Sequence, residues 1–423
     1  MIVLGLAAAY VIHVRHQGRN IKGSSTVEFV PTVPKPAPKP KPHVKVPGIV
    51  WPTYGFDNAR LRFGAGIAVG PPFRTAWIYH ARSLVEFPPA IAYGRLYFAT
   101  NAGFLFAVDA TTGKRVWRFT SGRCQAMSPA VDRGLVFGAF LNKPPCNAAS
   151  GDGRIVALAE RTGKVRWSKQ IGPSESSPLV RAGRVYVGDW NGVVWCFAES
   201  TGLLLWSFQS DGKVKDAIAF AGGKVYFGTY GSSLYALDAD TGKLVWKSQS
   251  QPGLLGSGHF YSTPAVAYDR VYIGSTDGKV YSFGATTGDL RWSQSTGGYV
   301  YSSPAVWEEH VFAGSYSGRL YSFDAATGAV EWSFQANGSI SGSPTVVGGL
   351  VYFATLSGRT YALDARTGHE AWSFPDGKYT PVVAEPGRLF LIGYAKIYAL
   401  DPLAKPAATK GKKKPTVASP ASH

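Results

Sequence analysis

Tyr361-Ala362-Leu-Asp364-Ala-Arg-Thr367-Gly368-His-Glu-Ala-Trp372-Ser-Phe374 is the stretch whose reading settles the architecture, because the chain repeats it. The same Thr-Gly-x-x-x-Trp ending recurs at Thr112-Gly113 to Trp117, Thr162-Gly163 to Trp167, Thr201-Gly202 to Trp206, Thr241-Gly242 to Trp246, Thr287-Gly288 to Trp292 and Thr327-Gly328 to Trp332. Trp77 is an eighth such tryptophan, without the Thr-Gly. Successive tryptophans stand 40, 50, 39, 40, 46, 40 and 40 residues apart, so one structural unit is being repeated.

Within a unit, a proline-led run (SSPAV, 302–306) is followed by HVFAGS (310–315), a glycine turn, RLYSFD (319–324), the Ala-Ala-Thr-Gly turn and AVEWSF (329–334). Alternating apolar residues separated by Asx and Gly turns predict four antiparallel strands. Asp109, Asp238, Asp324, Asp364 and Asp401 stand where an aspartate can cap the third turn. Ala159, Ala198 and Gly284 replace it in three units, which predicts looser turns there. Four-stranded sheets repeating about every 40 residues pack radially as an all-β propeller, each sheet burying both faces. The Trp-Asp and Gly-His marks of WD40 repeats are missing. Three strands follow Trp372 and one lone strand, 73–79, precedes the first complete unit. Joining that strand to the last three predicts eight blades, with the N-terminal strand completing the last.

The motif A-x-D-x-x-T-G-x-x-x-W, carried best by Ala236, Asp238, Thr241, Gly242 and Trp246, resembles the repeat of the pyrroloquinoline-quinone (PQQ) propeller family across about 73–401. The family takes in quinoprotein dehydrogenases, BamB-like assembly proteins and ectodomains of bacterial surface proteins. The phrase Trp51-Pro-Thr-Tyr54-Gly55-Phe-Asp57-Asn-Ala-Arg60 is similar to one that precedes the propeller in many members. The resemblance implies that Trp77, Trp117, Trp167, Trp206, Trp246, Trp292, Trp332 and Trp372 dock neighbouring blades. For a PQQ-dependent dehydrogenase it implies a vicinal Cys-Cys disulfide, a calcium site of Glu, Asn and Asp, and an aspartate base. The sequence offers no adjacent cysteines and no acidic calcium loop. The eight histidines are scattered without metal spacing, Gly64-Ala-Gly66-Ile-Ala-Val-Gly70 misses the dinucleotide spacing, and Gly-x-Ser-x-Gly is absent. The expectation is a non-catalytic chain with no cofactor, no metal and no catalytic residue to nominate.

The formal charge of +18 looks at first like a nucleic-acid signature. The first 50 residues carry +6 and residues 402–423 carry +5, leaving +7 over about 350 residues of body. That spread predicts no nucleic-acid partner. Ile2–Val14 is apolar apart from His13, and it is followed by Arg15, His16, Arg19 and Lys22. At about 20 Å of helix it is short of a roughly 30 Å bilayer core, so it reads as a secretory signal or, preferred here, a truncated membrane anchor within 1–22. The stretch 23–50 is a linker, with seven prolines and four lysines between Pro31 and Pro47 forming an extended polyproline spacer. The propeller then takes 51–401, and 402–423 is a disordered basic tail.

Propeller geometry places the start of each first strand around one mouth of the central channel. Three residues before the blade proline stand Glu86, Ala126, Glu175, Val214, Tyr261, Tyr301, Ser341 and Lys378. One residue before it stand Pro88, Ser128, Ser177, Asp216, Thr263, Ser303, Ser343 and Thr380. Lys215-Asp216 breaks the Ser-Pro pattern. Glu86, Glu175, Lys215, Asp216, Tyr261, Tyr301 and Lys378 are therefore the candidate ring for a polar ligand or peptide. Trp190, Tyr230 and Tyr316, on second-to-third turns of the same face, are candidate partner anchors. Cys124 and Cys146 fall on two adjacent turns of one blade, which predicts a disulfide and an oxidising compartment, while Cys196 lies in the apolar run VVWCF and reads as a buried thiol. These readings converge on a monomeric, extracytoplasmic, membrane-tethered propeller that binds a protein or peptide of the cell envelope. A PQQ-dependent oxidoreductase is the alternative, and a cell-wall glycan-binding module a second.

Overall fold

The computed structural model describes residues 48–146, 151–253 and 256–403. The apolar start, the Pro/Lys stretch before Gly48 and the basic tail lie outside them. Eight four-stranded antiparallel sheets form a ring. Blade 1 runs Ala90–Ala92, Arg95–Thr100, Phe104–Asp109, Arg115–Thr120, and blade 7 runs Thr345–Val347, Leu350–Thr355, Arg359–Asp364, Glu370–Phe374. Blades 2 to 6 repeat the plan from Ala130, Leu179, Ala219, Ala265 and Ala305. Blade 8 takes Val382–Glu385, Arg388–Ile392 and Lys396–Pro402 from the end of the chain, and Phe73–His80 from its beginning. The long spacings also find their cause: ten extra residues sit between the second and third strands of blade 2, and a two-stranded ladder, Pro252–Gly253 with Gly256–Ser257, precedes blade 5.

The repeated residues are explained by what happens between blades. Each tryptophan stands opposite a small residue of the third strand, such as Ala236 opposite Trp246 and Ser282 opposite Trp292, and the outer strand bulges next to it. Backed by a second-strand aromatic of its own sheet, such as Tyr226 beside Trp246 at 5.9 Å, the indole leans onto the next blade. There its Nε1–H donates to the carbonyl of the third turn: Trp117 to Glu160, Trp167 to Glu199, Trp246 to Ala285, Trp292 to Ala325. The ring itself covers the glycine of the next Thr-Gly, so that a Cβ on Gly242 would lie 2.6 Å from Trp206. That glycine is also held at φ +70°, a region costly for any residue with a Cβ. One position thus answers two demands, and the Thr-Gly and the Trp are a matched pair across adjacent repeats.

The aspartate of the turn accepts from the threonine's N–H and hydroxyl, as between Asp238 and Thr241 at 2.8 and 2.7 Å. The turns at Ala159, Ala198 and Gly284 are not looser: each keeps the closing backbone bond at 2.8 Å, against 2.9 Å in the aspartate turns. The glycine and the indole on it set the geometry without the carboxylate. Blade 8, closed by a separate strand, has no such turn. Tyr186, Tyr226 and Tyr272 donate to the next blade's turn carbonyl, but the equivalent Tyr352 hydroxyl faces blade 8 and has no partner. Trp372 instead packs edge-on against Phe73 at 5.3 Å.

The channel is filled at one end by the chain itself. Residues 49–69 run around the inside of the ring on the side of the first-to-second turns. Ile49–Trp51 adds a strand to blade 1. Backbone carbonyls of Pro52, Asn58, Ala59, Leu61 and Arg62 then accept from the first strands of blades 2, 4, 5, 6 and 7. Arg60 is fully buried and donates to Ile218 O at 2.8 Å, Thr53 Oγ1 at 2.6 Å and the carbonyls of Tyr54, Ser177 and Pro178, which ties in blade 3. Trp51, Ile67 and Val69 share a core with Val382 and Val383 of blade 8. The plug therefore touches all eight blades.

Replacing Gly242 with Ala should lower unfolding stability by about 2–4 kcal/mol, because left-handed strain and overpacking against Trp206 add. Gly94, with φ +68° and open space where its Cβ would be, is the control, and Gly94→Ala should lose only about 1 kcal/mol. Urea unfolding of the two variants measures the difference, and equal losses would remove the indole-on-glycine account.

Candidate functional site

Above the plug, the residues one before each blade proline form a belt. Ser128 N–H donates to Ser177 Oγ, Ala217 N–H to Thr263 Oγ1, Thr263 N–H to Ser303 Oγ and Ser303 N–H to Ser343 Oγ, at 2.9–3.1 Å. Thr380 Oγ1 donates to Glu86 O, and Ser128 Oγ to Pro88 O. The small polar residues of this inner circle are largely buried and fasten one blade to the next. Tyr54 of the plug reaches the same level, its hydroxyl 3.0 Å from Ser343 Oγ, and its ring carries the Arg62 guanidinium at 4.4 Å. Asp216 sits here too, half-buried, its Oδ1 accepting from Ala217 N–H. Burial raises its pKa, against the pull of Thr263 and Arg62. Burial and the neighbouring Arg62 lower the Arg60 pKa to about 9, which leaves the guanidinium charged at neutral pH.

On the outer side of the belt lies the open mouth, and the two groups singled out in the sequence meet there. His259 stacks on Tyr230 at 5.2 Å, Tyr230 meets Tyr261 at 5.8 Å, Tyr261 meets Tyr301 at 4.9 Å, and Tyr301 meets Tyr316 at 5.0 Å. Tyr299, which the sequence reading passed over, closes the far end within 6.4 Å of Tyr316. Lys215 lies 2.9 Å from Glu175 Oε2 and within 5.4 Å of the Trp190, Tyr230 and Tyr261 ring centres. Glu86 accepts from the Asn101 side chain at 3.1 Å. Burial raises the pKa of both Glu86 and Glu175, although Lys215 pulls each down. Lys378 stands apart from this group, over Tyr379 and Tyr394. Asp216 is a belt residue beneath the rim. Glu86 is held aside by Asn101, while Glu175, Lys215, Tyr261 and Tyr301 share one aromatic wall with Trp190, Tyr230 and Tyr316.

Cys124 and Cys146 are joined by a disulfide, Cα to Cα 5.6 Å, on the mouth face of blade 2, where the backbones of Cys124, Leu141 and Asn142 also pair. Cys196 is buried in blade 3, and burial raises its thiol pKa to about 11.

The opposite face has a cleft of about 590 Å³ beside Tyr93, Arg95, Gly134, Glu160 and Arg161. Glu160 Oε1 accepts there from Arg95 Nη1 and from Tyr97 OH, both at 2.6 Å. One blade on, Glu199 occupies the matching turn, but blade 2 faces it with Leu135 and Phe137 where blade 1 has Arg95 and Tyr97. The nearest charges are Asp132 and the Arg133 guanidinium, 3.9 Å away. Neither Glu199 oxygen receives a hydrogen bond from a donor group, and burial first and the adjacent Asp132 carboxylate second raise the pKa to about 7.

An eight-bladed ring whose indoles seat on Thr-Gly turns, with one plugged and one open mouth, defines a propeller of the quinoprotein type. The chain belongs to the family described as outer membrane protein assembly factor BamB, whose model matches residues 74–170, 151–374 and 293–404. Its relatives divide between assembly factors and enzymes. It is 28% identical over 137 residues to the outer membrane protein assembly factor BamB of Yersinia pestis, covering 30% of this chain and 32% of that one. It is 35% identical over 194 residues to the dehydrogenase subunit of a quinone-type alcohol dehydrogenase of Gluconobacter oxydans, covering 37% and 24%. The matched segments thus span less than a third of those relatives. Among solved structures, BamB from Moraxella catarrhalis superposes with a TM-score of 0.63 at 18% identity, over 78% of this chain and 98% of that one. The quinohemoprotein alcohol dehydrogenase of Comamonas testosteroni reaches 0.70 at 17% identity, over 85% and 82%. At such identities the superpositions establish the fold.

The residues present do not fit a quinone held with calcium in the manner that the family resemblance implies. The three cysteines are never adjacent, and among the described residues no three His, Cys, Asp or Glu side chains gather where they could hold a metal ion. Glu175 is already paired with Lys215.

Because folded Glu199 binds its proton more tightly than the unfolded chain does, the associated stability is intact below about pH 4 and falls as pH rises through 7. Glu199→Gln should abolish that fall and raise stability at pH 8 by on the order of 2–3 kcal/mol, with little change at pH 4. Urea unfolding of parent and variant at both pH values reads this out, and a slope unchanged by the substitution would refute the assignment to Glu199.

Proposed function

We propose that this chain is a non-catalytic binding propeller of the cell envelope that docks a protein or peptide segment at its open mouth. The observation that carries the reading is the asymmetry of the channel. One end is filled by residues 49–69, while the other presents Trp190, Tyr230, Tyr261, Tyr299, Tyr301 and Tyr316 in one aromatic wall, with Lys215 and Glu175 at its foot. Wide, rigid aromatic surfaces with a few charged groups are what protein interfaces use as anchors. The name of the family, an outer membrane protein assembly factor, supports an envelope setting, and so does the disulfide on the mouth face. In this reading Ile2–Val14 tethers the chain to the membrane, and the proline-rich run 31–47 holds the propeller off its surface.

A photo-reactive residue placed at Tyr301 or Tyr316 should crosslink in cells to one envelope protein, identified by mass spectrometry, while the same residue at Tyr93 on the plugged face should not. Equal capture from both faces would defeat the docking reading. Dye-linked alcohol oxidation on adding PQQ and Ca²⁺ would replace it with the oxidoreductase one. Retention on purified wall polymer that is lost in Tyr261→Ala with Tyr301→Ala would replace it with glycan binding.

A further inference from the structure

The mouth already holds a ligand of a kind, supplied by its own chain. In the other seven blades the residue two before the blade proline, or its counterpart, is Phe87, Met127, Ser176, Ser262, Ser302, Gly342 or Tyr379, none of them charged. Ser262 and Ser302 turn into their own blades, each accepting from the N–H of the second-strand glycine, Gly274 or Gly314. Lys215 does the reverse and extends across two blade junctions. Its ammonium meets Glu175 at 2.9 Å and the ring centres of Trp190, Tyr261 and Tyr230 at 4.9, 5.2 and 5.4 Å. Three π faces and a carboxylate around one ammonium form a cation cage, in which ring quadrupoles and a partly buried carboxylate act together.

A second carboxylate adds to the field at the cage. Glu86 lies within electrostatic reach of both Glu175 and Lys215, so two carboxylates share that ammonium, while Arg62 answers Asp216 at the belt and Lys213 covers the Trp190 ring at 5.1 Å. The carboxylates are not gathered closely enough to hold a metal ion. A polyatomic cation on a long stem suits such spacing, as Lys215 itself demonstrates.

We propose that the open mouth is a receptor for a lysine or arginine side chain of an extended partner segment, with Lys215 as a tethered stand-in that the incoming cation displaces from the Trp190–Tyr230–Tyr261–Glu175 cage. This deepens the docking reading above and rests on it. A tethered competitor at high effective concentration lowers the apparent affinity for an external cation, and its removal exposes the cage.

The test titrates the full chain by calorimetry with N-acetyl-lysine methylamide and its neutral isostere, N-acetyl-norleucine methylamide. Lys215→Met should bind the lysine probe about tenfold or more tighter than the parent does. It should show no such gain for norleucine, and adding Glu175→Gln should cancel the gain. If Lys215→Met does not fold, as judged by near-UV circular dichroism, Lys215→Gln is put through the same comparison. Lysine binding that does not improve, or norleucine binding that improves equally, overturns the inference. Crosslinking of an envelope protein at Tyr301 or Tyr316 without any gain in lysine binding would remove the cation cage and leave mouth docking standing. Gain in lysine binding without a crosslinked envelope protein would remove the partner assignment and leave the cage.

Discussion

The pairing of Phe73–His80 with Lys396–Pro402 is the constraint from which the rest of the molecule follows. A ring of sheets in which each buries both faces has no place for an unpaired edge at the seam. Early and late segments of the chain therefore share blade 8, with Arg74 opposite Asp401 and Trp77 opposite Ala399. Arg388 holds Asp401 at 2.7 Å and donates to Ala110 O of blade 1, so the seam is also secured sideways. Because the closing strand arrives from elsewhere in the chain, blade 8 has no Thr-Gly turn to offer blade 7. The unpartnered Tyr352 hydroxyl and the edge contact of Trp372 with Phe73 are the local results.

What the sequence disclosed was whatever repeats. The Thr-Gly-x-x-x-Trp period exposed the ring, the count of blades and the closing strand, because each tryptophan has a small residue opposite and, all but Trp372, a glycine one blade away. The rim residues were legible for the same reason: counting back from a recurring proline places them at one height. The plug was not legible. Its bonds to the blades run largely through backbone carbonyls of Pro52, Asn58, Ala59, Leu61 and Arg62, which leave no side-chain pattern, and only the phrase from Trp51 to Arg60 marked the segment. Tyr299 was missed because it lies two residues before the first of the aligned positions. The expected loosening of the Ala159, Ala198 and Gly284 turns overweighted the aspartate, which decorates a geometry already fixed by glycine and indole. Glu199 was hidden because its burial depends on Leu135 and Phe137 in the neighbouring unit.

Charge is arranged by depth along the axis. Two arginines, Arg60 and Arg62, are buried at the plug, Asp216 lies at the belt above them, and the Glu175–Lys215 pair is at the foot of the open mouth. Removing either partner of such a poorly solvated pair costs more than the pair itself contributes. The body as a whole carries little net charge for its size, so these local groups, and not a long-range field, decide what approaches the mouth.

The plug also changes how the ring comes apart. In linear repeat arrays each unit contacts only its neighbours, and one end can fray while the other persists. Here a single strip of about twenty residues is bonded or packed to every unit, so detaching any blade disturbs the anchor of all the others. Melting of this molecule is consequently a concerted event, in which modular construction yields all-or-none behaviour.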